Sequence, residues 1–195
     1  LYETWRGESI PAFVESLVRE LETHPRVTVH LSSTITQVEG FVGNFKTVIQ
    51  NGGHSETVEH GVAVIATGGS EFRPTEYLYG QDARVLTHQE LDRRFQARDP
   101  MLEGVQTAVF IQCVGSREPQ RPYCSRVCCT HSLQSALHLK RLNPECNIFV
   151  LYRDMRSYGE REALYLEARR QGVVFVRYDL EEKPCLLYTS DAADD

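Results

Sequence analysis

Four cysteines, Cys113, Cys124, Cys128 and Cys129, follow one another as C-x10-C-x3-C-C. A thiol becomes a metal ligand or a nucleophile once it loses its proton, so clustered cysteines are where chemistry is sought first. No secretory signal is visible in the chain, and clustered cysteines without one read as a metal or redox site rather than a disulfide framework. Structural zinc usually takes paired C-x2-C knuckles, and none occurs here. The neighbours Cys128 and Cys129 are awkward around a single tetrahedral ion. A four-iron cluster offers separate iron corners, so adjacent side chains can diverge to different atoms, and it takes four thiolates. The plainer alternative is a buried cysteine pair plus two incidental thiols. Cys146 and Cys185 stand apart and read as incidental thiols.

The elements around these residues suit either reading. From Val105 the pattern is β-α-β-α-β: a strand over Ala108 to Cys113, a helix over Val127 to Leu142, a strand over Asn147 to Tyr152, a helix over Tyr158 to Gln171, and a strand over Val173 to Tyr178. Strands alternating with helices of this length predict a parallel sheet with right-handed crossovers. Gly172 is placed as the glycine that ends the second helix. Cys113 then closes a strand and the other three cysteines open a helix. Ligands of open α/β sheets usually bind at that place, and the partial positive charge of a helix start favours thiolates and an anionic cluster. Cys124 and Cys128 are four apart, so a helical turn would put both on one face.

The first part of the chain is different in kind. Ser9, Pro11 and the spacing of Phe13, Leu17 and Leu21 predict a helix that His24-Pro25 ends. Short β-rich runs follow at Val27 to Leu31, Thr34 to Val38 and Phe45 to Gln50, and Asn51-Gly52-Gly53 reads as a hairpin turn. Val62 to Ala66 is wholly apolar, as in a strand buried on both faces. It runs into Ala66, Thr67, Gly68 and Gly69, a strand-end motif that comes close to FAD in two-dinucleotide-domain flavoproteins. Residues 71–104 read as a connector with a short helical stretch near Gln89 to Gln96.

Other signals are weaker or absent. No two glycines are separated by a single residue, so the G-x-G-x-x-G pyrophosphate loop is missing from both halves. In the second half its place is taken by Cys113-Val114-Gly115-Ser116-Arg117 and the cysteine loop. Arg153, Asp154 and Arg156 follow the second strand of that half and read at least as well as solvated loop charges as they do as ribose or phosphate readers. His131 and His138, seven apart on one helix, read as surface or packing residues. No catalytic residue is singled out. The composition, with 41% hydrophobic and 25% charged residues, argues against disorder. A net charge of -6 argues against general nucleic-acid binding. No run of 18 apolar residues exists, so no membrane span is expected.

Gln112-Cys113-Val114-Gly115-Ser116-Arg117 and Tyr123-Cys124-Ser125-Arg126-Val127-Cys128-Cys129 resemble the A-type iron-sulfur flavoprotein subunit of CoB–CoM heterodisulfide reductase. Gly40-Phe41-Val42-Gly43-Asn44-Phe45, Ala66-Thr67-Gly68-Gly69 and Tyr152-Arg153-Asp154 are similar too. The likeness runs from about residue 8 to residue 184. It implies an α/β protein with a partial two-dinucleotide-binding-domain flavoprotein fold, thioredoxin-reductase-like, whose C-terminal half is the parallel β-α-β-α-β unit. It also implies FAD and a [4Fe-4S] cluster held at Cys113, Cys124, Cys128 and Cys129. The implied role is cytoplasmic electron transfer with other subunits or redox partner proteins, in methanogens including flavin-based bifurcation. Dithiol–disulfide exchange and a zinc-stabilised module without enzymatic activity are the rival readings. Residues 1–104 are then part of a FAD-binding domain with its connector, and residues 105–184 a nucleotide-domain-like unit carrying the cysteines. Residues 185–195 look like translated sequencing-adapter sequence rather than native tail. The family's amino-terminal FAD loop and its ferredoxin-like cluster domains have no counterpart here, so the stretch alone is expected to be inactive.

Overall fold

The computed structural model describes residues 3, 4 and 6–186. Of residues 185–195, only Cys185, which is exposed, and Leu186 are described, and the rest of that tail lies outside the described residues. The described residues separate into two compact units, one formed by residues 11–70 and one by the residues before 11 together with 71–186.

In the smaller unit, the spacing of Phe13, Leu17 and Leu21 produces the expected helix, α1 (Ile10–Thr23). The Thr23 hydroxyl donates to the Arg19 carbonyl at its last turn, and Pro25 follows. Three antiparallel strands come next, β1 (Thr34–Phe41), β2 (Asn44–Asn51) and β3 (His54–His60), ordered β1-β2-β3. Asn51 pairs with His54, and Gly52 and Gly53 between them take φ of 51° and 90°. Positive φ at both central residues is the hairpin geometry whose twist matches that of the strands. Thr47, buried on β2, shares a 2.7 Å hydrogen bond with the His60 ring on β3.

Two expectations fail in this unit. Val27 to Leu31 forms no strand, and neither does Val62 to Ala66, where Val64 and Ile65 are each 87% exposed. A doubly buried strand needs a ladder partner and a cover on each face. The meander already closes as β1-β2-β3, and no described strand pairs with residues 62–66, so the apolar run stays irregular.

The larger unit is α/β. Its sheet consists of β4 (Thr107–Ile111), β5 (Asn147–Tyr152) and β6 (Val174–Arg177), all parallel, with β5 central. Two helices connect these strands, α3 (Cys128–Leu142) and α4 (Glu162–Arg170); a 3-10 turn, Gly159–Arg161, leads into the second. Gly172 ends α4 with φ 79°, as read from the sequence. Residues 71–104 belong to this unit, and their helix α2 (His88–Gln96) begins with a capping box between Thr87 and Glu90. Ile148 and Val150 of β5 meet Leu133, Ala136, Leu137 and Leu139 of α3, together with Phe95, Leu102, Phe110, Ala168 and Val173, in one buried cluster. Leu133 is wholly buried at its centre. Replacing it with Ala leaves a cavity and should lower unfolding stability by about 2–5 kcal/mol, read by chemical denaturation; a loss below about 1 kcal/mol would show that this core is not close-packed.

Candidate functional site

The cysteines sit where β4 gives way to α3. Gln112 extends the ladder by one residue, its N–H donating to the Leu151 carbonyl at 2.9 Å. Cys113 then turns the chain aside with φ 62°, and Gly115, Arg117 and Arg126 also take positive φ. Non-glycine residues there cost about 1 kcal/mol or more each, so the loop is held by its own bonds. The Arg117 N–H donates to the Tyr123 carbonyl, and Glu118 and Arg121 exchange backbone bonds of 3.1 and 2.9 Å. Phe72 closes over Gly115, where an added Cβ would lie 2.0 Å from the ring. The Arg121 guanidinium stacks over the same ring at 4.0 Å.

The thiols differ in character. Burial raises the Cys113 thiol above its ordinary range, against the pull of the Arg117 guanidinium, whose Nη1 lies 3.9 Å from the sulfur. Cys128 is lowered to about 6, chiefly by a hydrogen bond from the Cys129 thiol, then by the Ser125 hydroxyl and the backbone N–H groups at the start of α3; burial opposes the shift. Cys129 is pushed up correspondingly because it is the donor of that pair. Its single proton has a second acceptor in reach, the Asp154 carbonyl at 3.7 Å; once Cys128 ionises, the negative sulfur is the stronger acceptor. Cys124 accepts from the Arg126 N–H at 3.3 Å.

Cys113, Cys128 and Cys129 therefore act on one another electrostatically. Among the described residues, no three His, Cys, Asp or Glu side chains converge on a point that would hold a metal ion. The donor chemistry suits an iron-sulfur cluster, with thiols at a helix start and one already inclined to ionise. Cys124, expected to open the helix with the other two, lies instead in the loop before α3, which begins at Cys128. Cys146 lies apart in the core, its thiol raised by burial. Ala66, Thr67, Gly68 and Gly69 belong to the other unit, in exposed irregular chain with Gly68 at φ 67°. No strand precedes them.

Several residues around the cysteines carry more than their sequence signal suggested. Arg153 and Asp154 are loop charges with partners: the exposed Asp154 pairs with Arg117, and Arg153 donates to the Arg117 carbonyl at 2.8 Å. Arg117 holds the Asp154 carboxyl below the usual carboxylate range. His131 is buried and bonded to Asp92 at 3.0 Å, and its ring stacks on His88 at 4.6 Å. His138 stacks on Phe95. Ser132 gathers Gln112, His88 and the Cys128 carbonyl. Serine, glutamine and histidine have no spacing rule that marks such a cluster. The one available clue was that Gln112 and Ser132 sit beside the cysteine motif.

A parallel α/β unit with interacting thiols at its strand-to-helix junction defines a cysteine-bearing α/β protein. Comparison with known proteins narrows this. The chain is 33% identical to the A-type subunit of the H(2):CoB-CoM heterodisulfide,ferredoxin reductase of Methanothermobacter thermautotrophicus, over 70% of this chain and 24% of that protein. It is 35% identical to the A-type subunit of the H(2)/formate:CoB-CoM heterodisulfide,ferredoxin reductase of Methanococcus maripaludis, over 62% of this chain and 21% of that protein. It is 37% identical to the A-type iron-sulfur subunit of the CoB–CoM heterodisulfide reductase of Methanocaldococcus jannaschii, over 60% and 20%. No protein-family model matches the chain. The chain belongs to the family of A-type heterodisulfide reductase subunits, and it spans about a quarter of the length of the curated relatives it matches. No helix among the described residues is long and apolar enough to cross a membrane.

Two outcomes follow from this geometry. Gly115→Ala should destabilise the larger unit by about 1–3 kcal/mol through positive φ and the clash with Phe72, and the double variant with Phe72→Ala should recover part of the loss. Equal losses in the single and double variants, read by denaturant unfolding, would exclude the clash. Separately, His88 is lowered to about 3 by burial and by its charge interaction with His131, with Asp92 opposing. The unfolded chain then binds a proton below about 6.5 that the fold refuses, so stability falls as pH drops from about 6.5 toward 3, by at most about 1.4 kcal/mol per pH unit. Asp92, which burial raises but hydrogen bonding and charge, His131 foremost among them, together hold below the carboxylate range, adds a further loss below about pH 4. Thermal midpoints across this range should show a slope that His88→Phe flattens.

Proposed function

We propose that this chain is part of an electron-transfer subunit of a heterodisulfide-reductase-type complex, with Cys113, Cys124, Cys128 and Cys129 as ligands of a [4Fe-4S] cluster. The observation that carries the reading is the junction itself: Cys113 at the end of β4 interacts with Cys128 and Cys129 at the start of α3, where Cys128 is lowered to about 6. When bound, such a cluster supplies single-electron transfer between FAD and partner subunits. The residues of this chain supply the setting. The N–H groups that open α3 and the Arg117 guanidinium offset thiolate charge. Arg117 is fixed for that role by Asp154 on one side, and its carbonyl is fixed by Arg153.

The flavin side is less complete in this chain. Ala66, Thr67, Gly68 and Gly69 are the candidates for flavin contact, but no glycine loop brings a pyrophosphate to a helix start. FAD binding by these residues alone should therefore be weak. The activity, the partner proteins and a cytoplasmic setting are proposed for the whole protein.

A second reading has one observation in its favour. A thiol near 6 beside a protonated neighbour is also suited to thiol–disulfide exchange through Cys128. Anaerobic loading of the chain with iron and sulfide, followed by metal analysis and visible and electron paramagnetic resonance spectra, separates the two. The cluster reading expects iron and sulfide in equal amounts, lost in Cys128→Ser and Cys129→Ser. Full iron retention in both variants would sink the ligand assignment. A colourless protein with a reducible disulfide would favour exchange, and bound zinc would favour a structural module.

A further inference from the structure

The structure assigns Ser132 the role of positioning residue for Cys128, held in turn by Gln112 of the β4 end and His88 of α2. This deepens the cysteine reading above and rests on it.

The need for such a residue is local. Helix α3 starts without the usual side-chain cap, because the residue at its N-cap, Val127, has no oxygen to offer and makes no capping bond. An uncapped start frays unless something else fixes it, and here the first two helical residues are the cysteines. Ser132 does not replace the cap, because its hydroxyl donates to a carbonyl rather than accepting from the first N–H groups; it anchors the first turn from inside the helix. It is wholly buried, and its hydroxyl donates to the Cys128 carbonyl at 3.0 Å. A serine hydroxyl has one proton and two lone pairs. With the proton given to Cys128, both lone pairs must accept. Gln112 Nε2 donates to one, and the His88 ring lies 3.1 Å away at Nε2 for the other. His88 is therefore neutral with its hydrogen on Nε2.

Gln112 is itself immobilised. Its N–H is in the ladder with Leu151, its carbonyl accepts from the Tyr178 hydroxyl, and its side chain is buried. Because Gln112 precedes Cys113, one short path, Gln112 to Ser132 to the Cys128 carbonyl, ties the end of β4 to the start of α3. It sets the spacing between the two ends of the cysteine site without touching any sulfur.

The proton count gives a test on the unaltered chain. Nitrogen-resolved magnetic resonance of the full chain should show His88 as the Nε2–H tautomer at neutral pH; the Nδ1–H tautomer would overturn the assignment. In Ser132→Ala, hydrogen exchange at residues 131–133 should be about tenfold faster, with residues 136–139 unchanged. After anaerobic loading with iron and sulfide, the same variant should lose at least half its iron and show a shifted resonance spectrum, and Ser132→Thr, which keeps the hydroxyl, should restore both. Identical exchange, iron content and spectrum in Ser132→Ala would overturn the role. If the unaltered chain takes up no iron, the cluster reading fails, and the positioning role is then decided by the tautomer and the exchange rates alone. If Ser132→Ala does not fold, the tautomer decides it.

Discussion

A helix that begins without a side-chain cap takes its orientation from packing. Helix α3 takes it from Leu133, Ala136, Leu137 and Leu139, which join Ile148 and Val150 of the central strand in one buried cluster. Burial of aliphatic side chains is non-directional, at roughly 1.5–3 kcal/mol each. It brings the helix to the sheet but leaves rotation and axial position loosely set. Polar bonds finish the placement, because an unmatched donor inside the core costs more than a matched one contributes. The cysteines are positioned by these two kinds of force acting on one helix.

The electrostatics around the thiols are shaped by a chain with a net charge of -6. The side chains nearest Cys113 run against that balance: Arg117 approaches the sulfur and Arg153 braces Arg117, while Cys124 accepts from the Arg126 backbone N–H. The Arg117 guanidinium beside Cys113 is itself paired with Asp154, which holds it in place. In a partly buried site these interactions act at a lower effective dielectric than in water, so their arrangement matters more than their number.

Legibility in the sequence followed the range of the forces involved. The strands at Asn147–Tyr152 and Asn44–Asn51, α3, and the hairpin at Gly52-Gly53 were readable because periodicity and turn chemistry act between near neighbours. Val62 to Ala66 misled because apolar composition reports what a segment could bury, whereas a strand also needs a partner for its backbone. Arg153 and Asp154 read as loop charges because their partner, Arg117, is distant in sequence and adjacent only in the fold. The cysteine spacing pointed to the strand-to-helix junction. It did not convey that the Cys129 thiol donates to Cys128 and lowers it, which depends on how the two adjacent side chains are turned.

The hydroxyl of Ser132 bears on how relatives of this chain can diverge. The Gln112 amide, the His88 ring and the Cys128 carbonyl meet on that oxygen. Losing it alone strands the Gln112 amide and the His88 ring nitrogen in the core, whereas exchanging all three for apolar groups of matching volume leaves nothing unmatched. Positions 88, 112 and 132 therefore form a single unit of sequence drift. A lineage crosses from the polar set to an apolar one by passing through poorly folding intermediates, and homologues should divide into two populations at these positions with few hybrids between them.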